Sequence, residues 1–210
     1  MGARERLRWR GSRTTAAVSA AVSDHVELVV ENASLSDFHR RLAAGADPDA
    51  QRWLGWDDET MRLARGALAA GCLRQLRRPA KPFAWPKTWS LITMSTGQEF
   101  VASAVVYRYG SHSDREPLGP ASLEWQVGLI VAPTWRGRGL GARLFAMAAT
   151  HAHGVLGLET VGAGCDPSNH PAIRALTRAK FVPGSGPGRR QLPDGRVVPA
   201  AWFQRSRDLV

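Results

Sequence analysis

Residues 127–142 constrain the fold more than any other stretch. Val127-Gly128-Leu129-Ile130-Val131 is a short, largely β-branched apolar run, which predicts a buried strand. Pro133 has no backbone N–H to donate and ends the ladder. Three glycines then alternate through Arg136-Gly137-Arg138-Gly139-Leu140-Gly141. Beyond them Leu140, Leu144, Met147, Ala148 and His151 repeat at helical spacing and predict one buried stripe. A strand, a glycine-rich turn and a helix N-terminus in that order make an anion site. The amides of the turn point outward, the helix dipole adds about half a positive charge, and glycine lets an oxyanion reach the backbone. Arg136 and Arg138 beside the glycines favour this reading over a turn whose glycines serve geometry alone.

The spacing separates three phosphate-binding patterns. A P-loop needs Gly-Lys-Ser/Thr, and Gly141 is followed by Ala142 and Arg143. A dinucleotide fingerprint needs G-x-G-x-x-G, whereas this turn reads G-x-G-x-G. Glu159 lies where a ribose carboxylate would fall, but too little chain remains for the second half of a doubly wound sheet. The third pattern, Arg/Gln-x-x-Gly-x-Gly/Ala, is met at every position from Arg136 to Gly141. That hexapeptide resembles the acyl-CoA pyrophosphate loop of the GNAT superfamily of N-acyltransferases. The flanks carry the likeness further. Leu158 to Cys165 predicts a second buried strand, and Asp166-Pro167-Ser168-Asn169-His170-Pro171 reads as a turn with helix start signals. The helix through Ile173, Leu176 and Ala179 runs into Lys180-Phe181, where the family usually has Gly-Phe. The pattern is nearest the branch of ribosomal-protein alanine N-acetyltransferases.

The resemblance implies an α+β GNAT fold: a mixed, mostly antiparallel twisted sheet, helices on both faces, and a splayed central strand pair. Gly128, inside its strand, would weaken pairing and permit a bulge. By the resemblance, acetyl-CoA is the cosubstrate and no metal is needed. Its pyrophosphate would sit on Arg136, Gly137, Arg138, Gly139, Gly141 and Ala142, its thioester arm near the amides of Leu129 and Val131, and Asn169 would also touch it. A neutral primary amine would attack the acetyl carbon directly, in a ternary complex without a covalent intermediate. The acceptor would be a protein N-terminus or a small amine. Glu124, two residues before Gln126 on the same strand face, is the candidate general base. The family's frequent tyrosine is replaced by Leu176, so the proton for the leaving thiolate is left to Ser168, Cys165 or water.

Composition narrows the alternatives. The 210 residues suit one domain, with 44% hydrophobic and 22% charged residues, ordinary for a soluble globular chain. The net charge of +10 admits phosphate-rich ligands or acidic substrates. Two cysteines, Cys72 and Cys165, make no disulfide framework and fit a reducing cytoplasm. No Cys-x-x-Cys or His cluster predicts a metal, and no apolar run approaches the ~20 residues of a membrane span. The chain is expected to be a monomer or homodimer. Two other classes stand beside the enzyme: a catalytically silent acyl-CoA-binding sensor or partner module, and a basic domain gripping nucleic-acid phosphate, the second disfavoured.

Residues 1–24 carry five arginines and then small residues, which predicts a disordered basic tail before a domain spanning 25–210. His25 to Val30 predicts the first strand. Leu35, Phe38 and Leu42 predict a helix that ends at Gly45. Asp47-Pro48 reads as a turn and Asp57 to Leu76 as a second helix; the two early helices resemble the GNAT lid over the acceptor amine, with Trp53 and Trp56 either lining that pocket or packing under the helices. Trp89–Met94 and Glu99–Tyr107 predict a hairpin, and Val198 with Trp202-Phe203 a final strand.

Overall fold

The computed structural model describes residues 18–22, 26–32, 35–62, 65–66, 89–96, 99–108 and 125–207. Among them one sheet contains β1 (Val18–Val22), β2 (Val26–Asn32), β3 (Trp89–Thr96), β4 (Glu99–Arg108), β5 (Trp125–Val131), β6 (Thr160–Cys165), β7 (Val182–Gly184) and β10 (Ala201–Ser206). A separate hairpin pairs β8 (Arg189–Gln191) with β9 (Val197–Pro199). The strand order is β1-β2-β3-β4-β5-β6-β10-β7. Every neighbouring pair is antiparallel except β5 and β6, which run parallel. Around the sheet lie α1 (Leu35–Ala44), α2 (Pro48–Leu54), α3 (Leu140–Gly154) and α4 (His170–Arg178).

Strand alternation assigns the helices to opposite faces. Ala102, Ala104 and Val106 of β4 are fully buried in one cluster with Leu140, Leu144 and Ala148 of α3. The intervening Ser103 turns its hydroxyl to the other side, where it accepts a hydrogen bond from Arg41 of α1 at 2.6 Å. Helices therefore cover both faces, as expected. Leu144 is completely buried, so truncating it to alanine would cost about 2–5 kcal/mol. Phe181, just after α4, meets Phe145 of α3 edge-on, with ring centroids 5.7 Å apart. The buried stripe of α3 takes in His153, whereas Met147 and His151, expected on it, are only partly buried. His153 donates from Nδ1 to the Leu158 carbonyl at 2.7 Å, so a polar ring enters the core with one nitrogen satisfied.

Several local expectations are corrected. Of the expected tail, Val18–Val22 pair with Val26–Val30 as an edge strand, and residues 1–17 and 23–24 lie outside the described residues. The alanines of β1 do not prevent this pairing, because an edge strand needs main-chain partners more than a large apolar face. Asp47-Pro48 is not a turn but the start of α2. Asp47 caps the helix by accepting from the Ala50 amide at 3.0 Å, Pro48 occupies the first turn, and Gly55 ends it at φ +65°. Those three signals were present in the sequence. Of the helix expected over 57–76, residues 58–62 and 65–66 are helical, and the rest lies outside the described residues. The final strand is divided into β9 and β10 at Ala200, whose amide bonds to Gly188.

Gly128 does not introduce a bulge. β4 and β5 keep continuous register from Ala102–Val131 to Arg108–Trp125, and the irregularity in this part of the sheet lies between Met94 and Ser95. What opens is the other edge of β5. Gln126–Gly162 is the single paired position between β5 and β6, and beyond it the two strands diverge. The splayed central pair is thus present.

Candidate active site

The divergence of β5 and β6 makes a cleft, and the glycine turn lies at its end. Direction along β5 follows from one bond: the Ala132 amide donates to the Val101 carbonyl at 2.9 Å, toward β4. Main-chain groups alternate sides along a strand. Ile130 and Gly128 therefore also turn toward β4, while Leu129 and Val131 turn their amides and carbonyls toward the opening. The Val131 carbonyl agrees, since it accepts from Arg136 Nε at 3.2 Å on that side.

A turn of 3₁₀ helix, Pro133–Trp135, carries the chain from β5 into the glycine segment. Gly137 and Gly139 both hold φ +76°, a conformation that costs an L-residue about 1–2 kcal/mol. Gly139 is the N-cap of α3 and offers no side chain to its first amides. Among the described residues, no backbone carbonyl accepts from the amides of Gly137 through Gly141. A Cβ on Gly137 or Gly139 would meet open space, whereas one on Gly141 would lie 3.5 Å from Ala175 Cβ. The first two glycines thus serve backbone conformation, while a methyl at the third would make ordinary contact with α4. Ala142 follows in the first turn of α3, its amide bonded to the Gly139 carbonyl.

The arginines of the turn are not aimed alike. Arg138 folds back over the Trp135 ring at 4.7 Å and donates to the Thr134 carbonyl. Arg136 reaches across to α2, with Nη2 2.5 Å from Asp47 Oδ2 and Nη1 2.9 Å from Asp49 Oδ2. Burial alone would raise the Asp47 carboxyl, but the hydrogen bonds from Arg136 and the Ala50 amide outweigh it and hold its pKa below the ordinary value. The expected pyrophosphate arginine is therefore tied to the helix that overhangs the cleft.

A cavity of about 1250 Å³ joins these parts. It runs from the turn, past Leu129 and Val131, to a chamber under Trp53 and Trp56. Asn169 borders it, with its side chain capping α4 by accepting from the Ala172 amide at 3.2 Å. Leu176 is 1% exposed, an apolar wall where the family often carries tyrosine. Cys165 also lines the cavity, and burial pushes its thiol up to about 11 despite the opposing field of Arg190. Ser168 donates its hydroxyl to Asp166 at 2.6 Å, away from the role of proton donor. Glu159 pairs with Arg207 and lies on the surface. Glu124 lies outside the described residues.

Two residues of the cavity were not singled out from the sequence. Tyr107 of β4 lies across Gly128, whose missing Cβ would sit 3.5 Å from Tyr107 Cε1. The Tyr107 ring thus covers the strand beside Leu129 at ordinary contact distance from Gly128. Arg41, 4% exposed, donates to both the carbonyl and the hydroxyl of Ser103 and stacks on Trp56 at 5.1 Å. Helical spacing marked neighbours of Arg41 as buried, but only tertiary contact shows where its cation goes. Among the described residues no helix is long and apolar enough to cross a membrane, and no three His, Cys, Asp or Glu side chains gather as a metal group.

A splayed β5–β6 pair with a glycine turn opening onto α3 is the architecture of acyl-CoA-dependent acetyltransferases. The chain belongs to the acetyltransferase (GNAT) domain family, whose model matches residues 27–182. Its fold is similar to that of Mycobacterium smegmatis RimJ in complex with CoA-disulfide, at 16% identity and a TM-score of 0.62 over 88% of this chain and 84% of the other. RimL, a ribosomal L7/L12 alpha-N-protein acetyltransferase in complex with coenzyme A, is similar at 13% identity and TM-score 0.62, covering 87% and 96%. The aminoglycoside acetyltransferase AAC(6')-Ib with coenzyme A gives 17% identity and TM-score 0.60 over 86% and 95%. No curated protein sequence is significantly similar to this chain.

Proposed function

We propose that the protein transfers an acetyl group from acetyl-CoA to a primary amine in a ternary complex. The observation that carries this reading is the pair of β5 residues, Leu129 and Val131, with main-chain groups facing the cleft beside a turn of unbonded amides. The pyrophosphate would take the amides of Gly137, Arg138, Gly139 and Gly141, at the positive end of α3, flanked by Ala142 and Arg136. Asn169 would border the cofactor from the cap of α4. The thioester oxygen would meet the amides of Leu129 and Val131, which favour the negative charge that grows there during attack. The C–N bond forms as the C–S bond breaks, coenzyme A leaves as thiolate, and the acceptor nitrogen gives up its proton.

Glu124 is the proposed base for that proton, by its position just before β5. The relatives whose structures share this fold include acetyltransferases of ribosomal-protein N-termini and of aminoglycosides by their descriptions, which supports an amine acceptor here. A cytoplasmic location, where acetyl-CoA and free thiols coexist, fits this reading. One observation favours a second reading, an acyl-CoA-binding module without turnover: Leu176 is sealed in the core where a proton donor often stands.

Calorimetry with acetyl-CoA and thiol release with an amine panel test both. Micromolar affinity, about 8 kcal/mol, is expected from several amide–phosphate bonds. Ligand at about 100 times Kd should add about 2.7 kcal/mol to unfolding stability. Binding with amine-dependent thiol release supports the transferase. Binding alone supports the silent module, and no binding removes both. Glu124→Gln should lower kcat by about 10²–10⁴ with acetyl-CoA affinity kept.

A further inference from the structure

The chamber on the Ser103 face is walled by cations. Arg41 enters from α1 and Arg190 from β8, with Trp53, Trp56 and Tyr107 between them. The glycine turn opens from α3, on the opposite face of the sheet, so this chamber is the side left to the acceptor if the donor enters as proposed above. The other lining residues do not neutralise it. Asp49 is held by Arg136, and among the described residues no carboxylate contacts Arg41. Asp166 supplies one negative charge within the field of both Arg190 and Arg52, and its Oδ1 also accepts from the amide and hydroxyl of Ser168, so a single carboxylate is shared by two guanidiniums.

Two features of these arginines indicate a missing anion. Arg41 is buried to 4% exposure, its partners among the described residues are the neutral Ser103 and the Trp56 ring, and desolvation drives its guanidinium down to about 10. A buried cation is costly unless an anion meets it. Arg190 spends Nη2 on the Trp53 carbonyl at 3.1 Å, while its Nε is buried without a partner among the described residues. Buried N–H groups of this kind are rare in a finished site.

We propose that the acceptor is a carboxylate-bearing amine, either a free amino acid or the N-terminus of an acidic peptide, with its carboxylates held by Arg41 and Arg190. This rests on the transferase reading and names its substrate class. Planar guanidinium forks suit carboxylates in two-bond geometry. The same cations disfavour a second positive charge, so they lower the pKa of the incoming ammonium and help present the neutral amine that attacks. They also repel polycationic acceptors such as polyamines and aminoglycosides.

The test compares matched acceptors with saturating acetyl-CoA, read by thiol release: Ala-Asp-Glu against Ala-Lys-Lys, alanine against alaninamide, and spermidine. Ala-Asp-Glu should exceed Ala-Lys-Lys by at least tenfold in kcat/KM, with the gap shrinking as salt rises. Alanine exceeding alaninamide identifies the free amino acid as the source of the carboxylate, and the tripeptides alone identify the peptide. Arg190→Gln should bring the tripeptide ratio toward one while the thermal shift with acetyl-CoA stays as in the parent. Arg41→Gln should do the same, and Arg190, partly exposed, serves if that variant does not fold. Equal or better turnover of Ala-Lys-Lys or spermidine overturns the assignment and leaves the transferase intact. Binding of Ala-Asp-Glu, seen by tryptophan fluorescence, without thiol release from any amine overturns the transferase and leaves the acidic ligand. The absence of both binding and turnover for every carboxylate-bearing acceptor overturns the proposal.

Discussion

Arg136 of the glycine turn donates to Asp47, the residue that caps α2, across 89 positions of sequence. One carboxylate thus does two jobs: it starts a helix over the cleft and holds the cation nearest the proposed phosphate site. The helix over the cleft and the proposed phosphate site thus share one guanidinium.

Asp47→Asn separates the two jobs, because asparagine caps as well as aspartate but carries no charge. It should cost less than about 1 kcal/mol, the usual worth of a partly exposed ion pair. Asp47→Ala should cost about 1 kcal/mol more by also losing the cap. If Arg136 serves the pyrophosphate, Asp47→Asn should tighten acetyl-CoA binding several-fold, by calorimetry. An unchanged Kd would mean that the backbone amides alone hold the phosphates.

Acid should act through the same contact. The folded pKa of Asp47 is depressed, so its contribution is complete above the unfolded value near 3.9 and is lost as pH falls through the folded one. Urea midpoints should therefore drop below about pH 4 in the parent, with a smaller drop in Asp47→Asn. Parallel acid profiles would show that Asp47 is not among the responsible groups.

The glycines of the turn should respond differently to alanine. Gly139→Ala meets no steric neighbour but must hold φ +76°, so it should destabilise by about 1–2 kcal/mol. Gly141→Ala adds a methyl 3.5 Å from Ala175 in a helical position and should be neutral or slightly stabilising. Gly141→Glu should keep the circular dichroism spectrum and weaken acetyl-CoA at least tenfold by like charge. Unfolding of Gly141→Glu would assign that glycine to helix packing alone.

Lys180 adopts φ +65°, the one non-glycine residue with positive φ among those described. It follows the end of α4, where the left-handed turn lets the Phe181 amide reach the Leu176 carbonyl at 3.0 Å. Lys180→Gly should raise stability by about 1 kcal/mol, the relieved strain less the added freedom of the unfolded chain. A lower melting temperature would show that the lysine side chain contributes more than its backbone strain removes.

Deletions at the N-terminus should have a boundary. Removing residues 1–17 should leave stability and acetyl-CoA affinity unchanged. Removing residues 1–24 also takes away β1 and bares the edge of β2, which favours self-association. Light scattering and thermal melts on the two truncations compare them directly, and identical behaviour would show β1 to be dispensable.

Much of this molecule was legible in short-range pattern. Alternating and helical periodicity placed β3, β4, β5, α1, α3, β6 and α4 near their observed bounds, because each face is set by residues two to four apart. The left-handed glycines at 137 and 139 were legible for the same reason, since φ belongs to a single residue. Even α2 was written locally, in Asp47, Pro48 and Gly55, although the pair Asp47-Pro48 also reads as a turn. Tertiary structure decided what distant segments do together. Divergence of β5 from β6 depends on how two strands are held by separate neighbours, not on Gly128. The Arg136–Asp47 pair and the arginine chamber join residues far apart in sequence, and no local pattern states which cations will share a cavity. Sequence by itself determined the turn that can hold a phosphate. Only the packing of α1, α2 and β8 across the open sheet decided what charge faces the group on the other side.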